Sequence, residues 1–134
     1  MKKATEYTYA ATVERVVDGD TVFLKLTKVF ELPIDFGFHI LDVISLKKEA
    51  VVDFRLAGIN ASELTAAEPA VRAKAVKAKA ELIRLLGLGA LTVVTSKSEK
   101  YGRWLAAISV AGPMGSIDVN KAMLSGGFAV PYAG

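Results

Sequence analysis

The stretch "EPAVRAKAVKAKAELIRLLG" (residues 68–87) decides how the rest of the chain is read. Its apolar residues recur at helical spacing, so Val71, Ala75, Ala78, Leu82 and Leu86 fall on one stripe of a helix. Pro69 suits the first turn, where a missing N–H is no loss, and Gly87 suits the C-terminal stop. The period on either side is different. Upstream, "YTYAATVERVV" (7–17), "TVFLKLTKVF" (21–30) and "EAVVDFRLAGI" (49–59) are rich in β-branched residues and alternate as strands do. In the third of these, Val51, Asp53, Arg55 and Ala57 share one face, and Val52, Phe54 and Leu56 share the other. Downstream, "ALTVVTS" (90–96) and "RWLAAISVA" (103–111) read as two more strands, joined by a charged turn around Tyr101-Gly102. Asp18-Gly19 reverses the chain between the first two strands.

Asp118 can cap a short final helix, "VNKAMLS", which Gly126-Gly127 ends. Three strands, a helix, two strands and a helix predict a mainly β fold with helices. That order matches the five-stranded Greek-key barrel called the OB-fold, with a helix between strands 3 and 4 and a short C-terminal helix. Neither an internal repeat nor a low-complexity tract interrupts the chain, so residues 1–134 read as a single domain without a linker. One segment resists the pattern. In "ELPIDFGFHILDVISLKK" (31–48), Pro33 and Gly37 argue for an edge hairpin or a long excursion rather than a central strand.

At 134 residues, 52% apolar and 23% charged, the chain is long enough for a real core and is not of disordered composition. Cysteine is absent, which excludes disulfide, thiolate and zinc-thiolate chemistry and leaves the redox compartment open. No run approaches the length of a membrane span. Met1-Lys2-Lys3 is followed by no apolar signal region, so a cytoplasmic location is expected, with secretion open if a leader was removed. A net charge of +3 permits a polyanionic partner without demanding one.

Chemistry concentrates at three places. In "VVDGDTV" (16–22), Asp20 can either bond turn amides or offer an oxygen to a hard cation at the barrel mouth. In "RLAGINASE" (55–63), Arg55 and Glu63 bracket the exit of a strand, with Asn60 between them. The Arg55 guanidinium can grip a phosphate bidentately, and Glu63 can activate a water or simply favour the start of the following helix. In "KYGRWLA" (100–106), Lys100, Tyr101 and Arg103 sit at a strand start, where Trp104 could anchor the barrel. His39 has no histidine partner and reads as structural or exposed. Phe36 and Phe38 read as packed on the barrel, with base stacking as the alternative. Arg72, Lys74, Lys77, Lys79 and Arg84 read as solvated helix residues.

These three motifs, in this order and with a helix between the last two, resemble the staphylococcal (micrococcal) nuclease-like family. "DVNKAMLSGGFAVPY" (118–132) resembles its closing helix and tail, so the resemblance spans roughly 9–132, with an insertion near 27–48. It implies an OB-fold enzyme that hydrolyses DNA and RNA with Ca²⁺ and little sequence preference, leaving a 3′-phosphate. It implies Asp20, Asn60 and the Ala61 carbonyl as metal ligands, and Arg55 and Arg103 as phosphate-gripping residues. Glu63 becomes the general base, and Lys100, Tyr101 and Tyr132 become substrate-binding residues. Two positions depart from the family pattern: Asn60 stands where the founding member has an aspartate, and Ser62 stands where proline is usual. The alternative is a nucleic-acid-binding module of the same fold without catalysis. The sequence says nothing of oligomeric state.

Overall fold

Alternating burial along the strands builds the core. Val22, Leu24, Phe54 and Leu56 point inward from one side, and Val93, Ala106, Ile108 and Val110 from the other, while their neighbours face outward. The computed structural model describes residues 7–37, 40–62, 67–97 and 104–132. The elements in chain order are β1 (Tyr7–Asp18), β2 (Thr21–Asp35), β3 (Ile40–Leu56) and β4 (Ile59–Asn60), followed by α1 (Pro69–Leu86). Then come β5 (Leu91–Lys97), β6 (Trp104–Gly112), β7 (Gly115–Asp118), α2 (Val119–Ser125) and β8 (Val130–Pro131).

β3, β2, β1, β5 and β6 lie side by side in that order, each antiparallel to the next. β6 then returns to β3 in a parallel pairing of only two positions, Arg55 with Leu105 and Leu56 with Ala106. This closed ring of five strands is the OB-fold barrel. Register shifts in β1 between Val13 and Arg15, and again between Val16 and Asp18, supply the local coiling that closure requires. α1 follows the third barrel strand and packs against β1 and α2, burying Ala75, Ala78, Leu82, Leu85 and Leu86. The expected stripe is thus displaced toward the C-terminal half, with Leu85 added and Val71 only half-buried. No helix among the described residues is long and apolar enough to cross a membrane.

The difficult segment is more regular than its prolines and glycines suggest. β2 and β3 pair without a break from Thr21–Arg55 out to Ile34–Asp42, whereas β1 accompanies β2 only as far as Thr27. An edge hairpin is therefore what forms, with its strands far longer than the spans 21–30 and 49–59. Pro33 is tolerated because, among the described residues, β2 has no strand on its other side there. Two expectations fail. Phe36 is exposed rather than packed on the barrel, and Trp104 is 47% exposed, with the Lys97 ammonium 5.4 Å over its ring, so it anchors nothing in the core. Phe38 and His39 lie outside the described residues.

α2 begins as expected, with the Asp118 side chain accepting from the Lys121 N–H at 3.1 Å. Its next turn carries a residue that the sequence does not advertise. Asn120 is buried at the place where β3 and β6 meet. Its amide nitrogen donates to the carbonyls of Ala57 (2.9 Å) and Ala106 (3.0 Å), and its oxygen accepts from the Ile108 N–H at 3.1 Å. Asn120→Leu leaves a buried N–H without a partner, so a loss of about 2–3 kcal/mol is expected in urea unfolding. A loss below about 0.5 kcal/mol, the range of ordinary surface substitutions, would show that the closure does not depend on this side chain.

Candidate functional site

The site forms where the barrel closes. Asp20 immediately precedes β2, and its backbone carbonyl accepts from the Leu56 N–H at 2.8 Å, which holds the start of β2 to the end of β3. Its carboxylate is buried, with the residue 4% exposed. Oδ2 accepts from the Ala61 N–H at 2.8 Å and lies 3.6 Å from Nη2 of Arg55, while Oδ1 accepts from the Thr21 hydroxyl at 3.0 Å. A buried carboxylate persists only when its oxygens are met in this way. Asp18, two residues back, accepts from the Asp20 N–H at 3.3 Å. Burial, then a bond between the two carboxyl side chains and the charge of Asp20, push the Asp18 carboxyl up from 3.8 to about 6, against the opposing pull of that N–H.

Arg55 is on the outer face of β3, as the alternation predicts, but it is turned back along the barrel wall. Its Nη2 donates to Asn60 Oδ1 at 2.7 Å, with the Ile59 carbonyl at 3.5 Å. Asn60 comes within reach because Gly58, at φ +79, reverses the chain in a conformation that disfavours a side chain. β4 then pairs with β8, and the Tyr132 N–H donates to the Gly58 carbonyl at 2.9 Å. That backbone tie sets the Tyr132 ring against the guanidinium, 4.9 Å from carbon to centroid.

Asp20, Arg55, Asn60, Ala61 and Tyr132 are therefore brought together. Glu63, Lys100, Tyr101 and Arg103 lie outside the described residues. Two lysines read as merely solvated have a closer relation to the site. Lys74 and Lys77, one turn apart on α1, line a cleft of about 370 Å³ together with Asn60, Ala61 and Ser62. Helical periodicity places them on one side of α1, but only the path of residues 60–62 reveals what they face.

Asp20 Oδ2 and Asn60 Oδ1 approach the same nitrogen of Arg55, and carboxylate and amide oxygens are donor types that Ca²⁺ accepts. Among the described residues no group of three His, Cys, Asp or Glu side chains gathers, so further oxygens have to come from carbonyls, water or substrate.

A protein-family model described as staphylococcal nuclease homologue matches residues 53–133, more than half of the chain. The chain belongs to that family. No curated protein matches it. The match includes Arg55, Asn60, Ala61 and Tyr132 but begins after β1 and β2. Asp20 of this staphylococcal nuclease homologue therefore joins the matched segment through contacts rather than through the match itself.

Gly19 makes those contacts possible. A Cβ at this position would stand 2.7 Å from the Ala78 Cβ and 2.9 Å from the Ala61 Cβ. Both obstacles are first side-chain atoms fixed to the backbone, so relief requires moving α1 or the 61–62 segment. Gly19→Ala is expected to destabilise by about 1–3 kcal/mol. Combined with Ala78→Gly, which removes the nearer obstacle, it should show a coupling of about 0.5 kcal/mol or more in urea unfolding. Strict additivity of the two changes would contradict this packing.

Proposed function

We propose that this protein is a metal-dependent nuclease that hydrolyses phosphodiester bonds of DNA and RNA with low sequence specificity and leaves 3′-phosphate products. The reading is carried by one observation: a buried carboxylate and an amide oxygen converge on a single arginine at the mouth of the barrel. Membership of a family of nucleases and nucleic-acid-binding proteins supports it.

Arg55 binds the scissile phosphate. To do so it exchanges the neutral Asn60 oxygen for phosphate oxygens, which carry full charge and accept both arms of the fork. The Asp20 carboxylate beside it and the Tyr132 ring keep the guanidinium from swinging away during that exchange. Arg103 is assigned the second contact to the phosphate, and Lys100 and Tyr101 contact neighbouring groups of the bound strand. Lys74 and Lys77 extend positive charge along the cleft on the far side of Asn60, which suits a polyanion more than a lone phosphate. Asp20, Asn60 and the Ala61 carbonyl are the residues that would hold Ca²⁺, whose charge, when bound, lowers the cost of negative charge growing on the phosphate.

Glu63 is assigned the general base. It takes a proton from a water as that water's oxygen bonds to phosphorus opposite the 5′ oxygen. The bond from phosphorus to the 5′ oxygen breaks, that oxygen takes a proton from solvent water and leaves as the 5′ alcohol, and the phosphate stays on the 3′ side. The two arginines meet the charge that builds on the non-bridging oxygens, where preorganised donors act most strongly.

Release of acid-soluble nucleotides from DNA and RNA, in Ca²⁺ and in chelator, tests this reading. Release is expected only with Ca²⁺, and Glu63→Gln should lower the rate by about 10²–10⁴-fold at unchanged thermal stability. Nucleic acid bound but never cut in any condition would instead identify a non-catalytic binding module. Full activity of Glu63→Gln would remove the general-base assignment.

A further inference from the structure

Beyond Thr27 the β2–β3 hairpin leaves β1 behind, yet the alternation that lines the barrel continues along it. On β2 the inward face runs Val22, Leu24, Leu26 and then Lys28, Phe30, Leu32 and Ile34. Opposite these last four on β3 stand Lys48, Leu46, Ile44 and Asp42. The result is one strip with two lysines at the base, five apolar side chains along its length and a carboxylate near the tip. The other face is mixed, with Val29, Glu31, Pro33 and Asp35 against Lys47, Ser45 and Val43. Inside the barrel such an inward face has an opposite wall. Among the described residues only the Tyr9 ring, 5.5 Å from the Lys28 ammonium, reaches its base, and Phe30, Leu32, Ile44 and Leu46 are 43–49% exposed even though each is shielded by its cross-strand partner. A contiguous apolar face of this kind marks an interaction surface, and a two-stranded ribbon is marginal in water without a packing partner.

We propose that a second copy of this chain covers the strip, giving a two-fold symmetric dimer in which the two ribbons pack face to face and run in opposite directions. The charges select this occupant and this orientation. With the two-fold axis across the strands, midway between the Phe30–Leu46 and Leu32–Ile44 pairs, apolar meets apolar. Each Asp42 then comes over the Lys28–Lys48 pair of the other copy. Ribbons running the same way would set lysines over lysines and Asp42 over Ile34, with no cation across from the carboxylate. Stacked sheets lie about 10 Å apart, a gap that two lysine stems and an aspartate can bridge. An anionic bilayer would meet Asp35 and Asp42 at the tip, where basic residues would be needed. The strip is shorter than a standard interface of about 800 Å² per partner, so dimerisation in the micromolar range is expected. This inference is independent of the nuclease reading.

Sedimentation velocity of the full chain from low to high micromolar concentration tests it. The parent should pass from monomer to dimer. Leu32→Ser with Ile44→Ser, both outside the barrel core, should weaken dimerisation by about a hundredfold or more while thermal unfolding of the barrel is retained. Asp42→Lys should weaken it by roughly tenfold, and adding Lys28→Asp and Lys48→Asp to the same chain should restore it. A parent that stays monomeric throughout would overturn the proposal. So would serine variants that dimerise like the parent, a charge-reversed chain that does not recover, or a monomeric parent that floats with phosphatidylcholine–phosphatidylserine vesicles.

Discussion

The Asp20 carboxylate is the constraint from which the site follows. A buried carboxylate is unfavourable unless every direction of its charge is answered, and here the answers come from three separate parts of the chain. Thr21 answers from the start of β2, Ala61 from the segment after β4, and Arg55 from the end of β3. The same residue's carbonyl holds Leu56. One side chain and one peptide group thus fix the relative positions of the arginine, the amide and the loop that leads toward Glu63. Loosening any of these contacts would leave the carboxylate short of partners, so the arrangement is held as a unit.

That unit sits where the barrel is weakest. Two paired positions close the ring between β3 and β6, far fewer than join any other neighbours in it. The seam is reinforced from both sides. Asp20 binds it at the outer mouth, and Asn120 clamps the carbonyls of Ala57 and Ala106 from α2. Asp20 lies in the turn between the first two barrel strands, one of the loops with which OB-folds bind their ligands.

Much of this was legible in the sequence because it rests on periodicity. Alternation set Phe54 and Leu56 on one face of β3 and Arg55 on the other, and the change to helical period found α1. Four motifs in order pointed to the family. The less legible parts depend on contacts distant in sequence. Asn120 looks like any polar helix residue until Ala57 and Ala106 are seen beside it. Lys74 and Lys77 are solvated as expected, and only the path of residues 60–62 shows that they also line a cleft beside the site. Tyr132 was expected near the pocket, but its role under Arg55 depends on the pairing of two strands of two residues each, too short to leave a pattern. In the 31–48 segment, Pro33 and Gly37 suggested an interruption. Pro33 instead occupies an edge position where its missing N–H is not needed, and Gly37 belongs to the hairpin tip. Trp104 misled because large aromatic residues are usually taken for core.

The central claim is that closure of the barrel presents Asp20 to a cation as well as to its protein partners. Thermal unfolding of the parent and of Asp20→Asn, each in chelator and in saturating Ca²⁺, tests it most directly. The asparagine keeps an oxygen for the Ala61 N–H but loses the charge. The account predicts that Ca²⁺ raises the parent's unfolding midpoint by several degrees, as a ligand bound only to the native state must, and that Asp20→Asn folds but gains little. Equal Ca²⁺-induced shifts in the two proteins would contradict it.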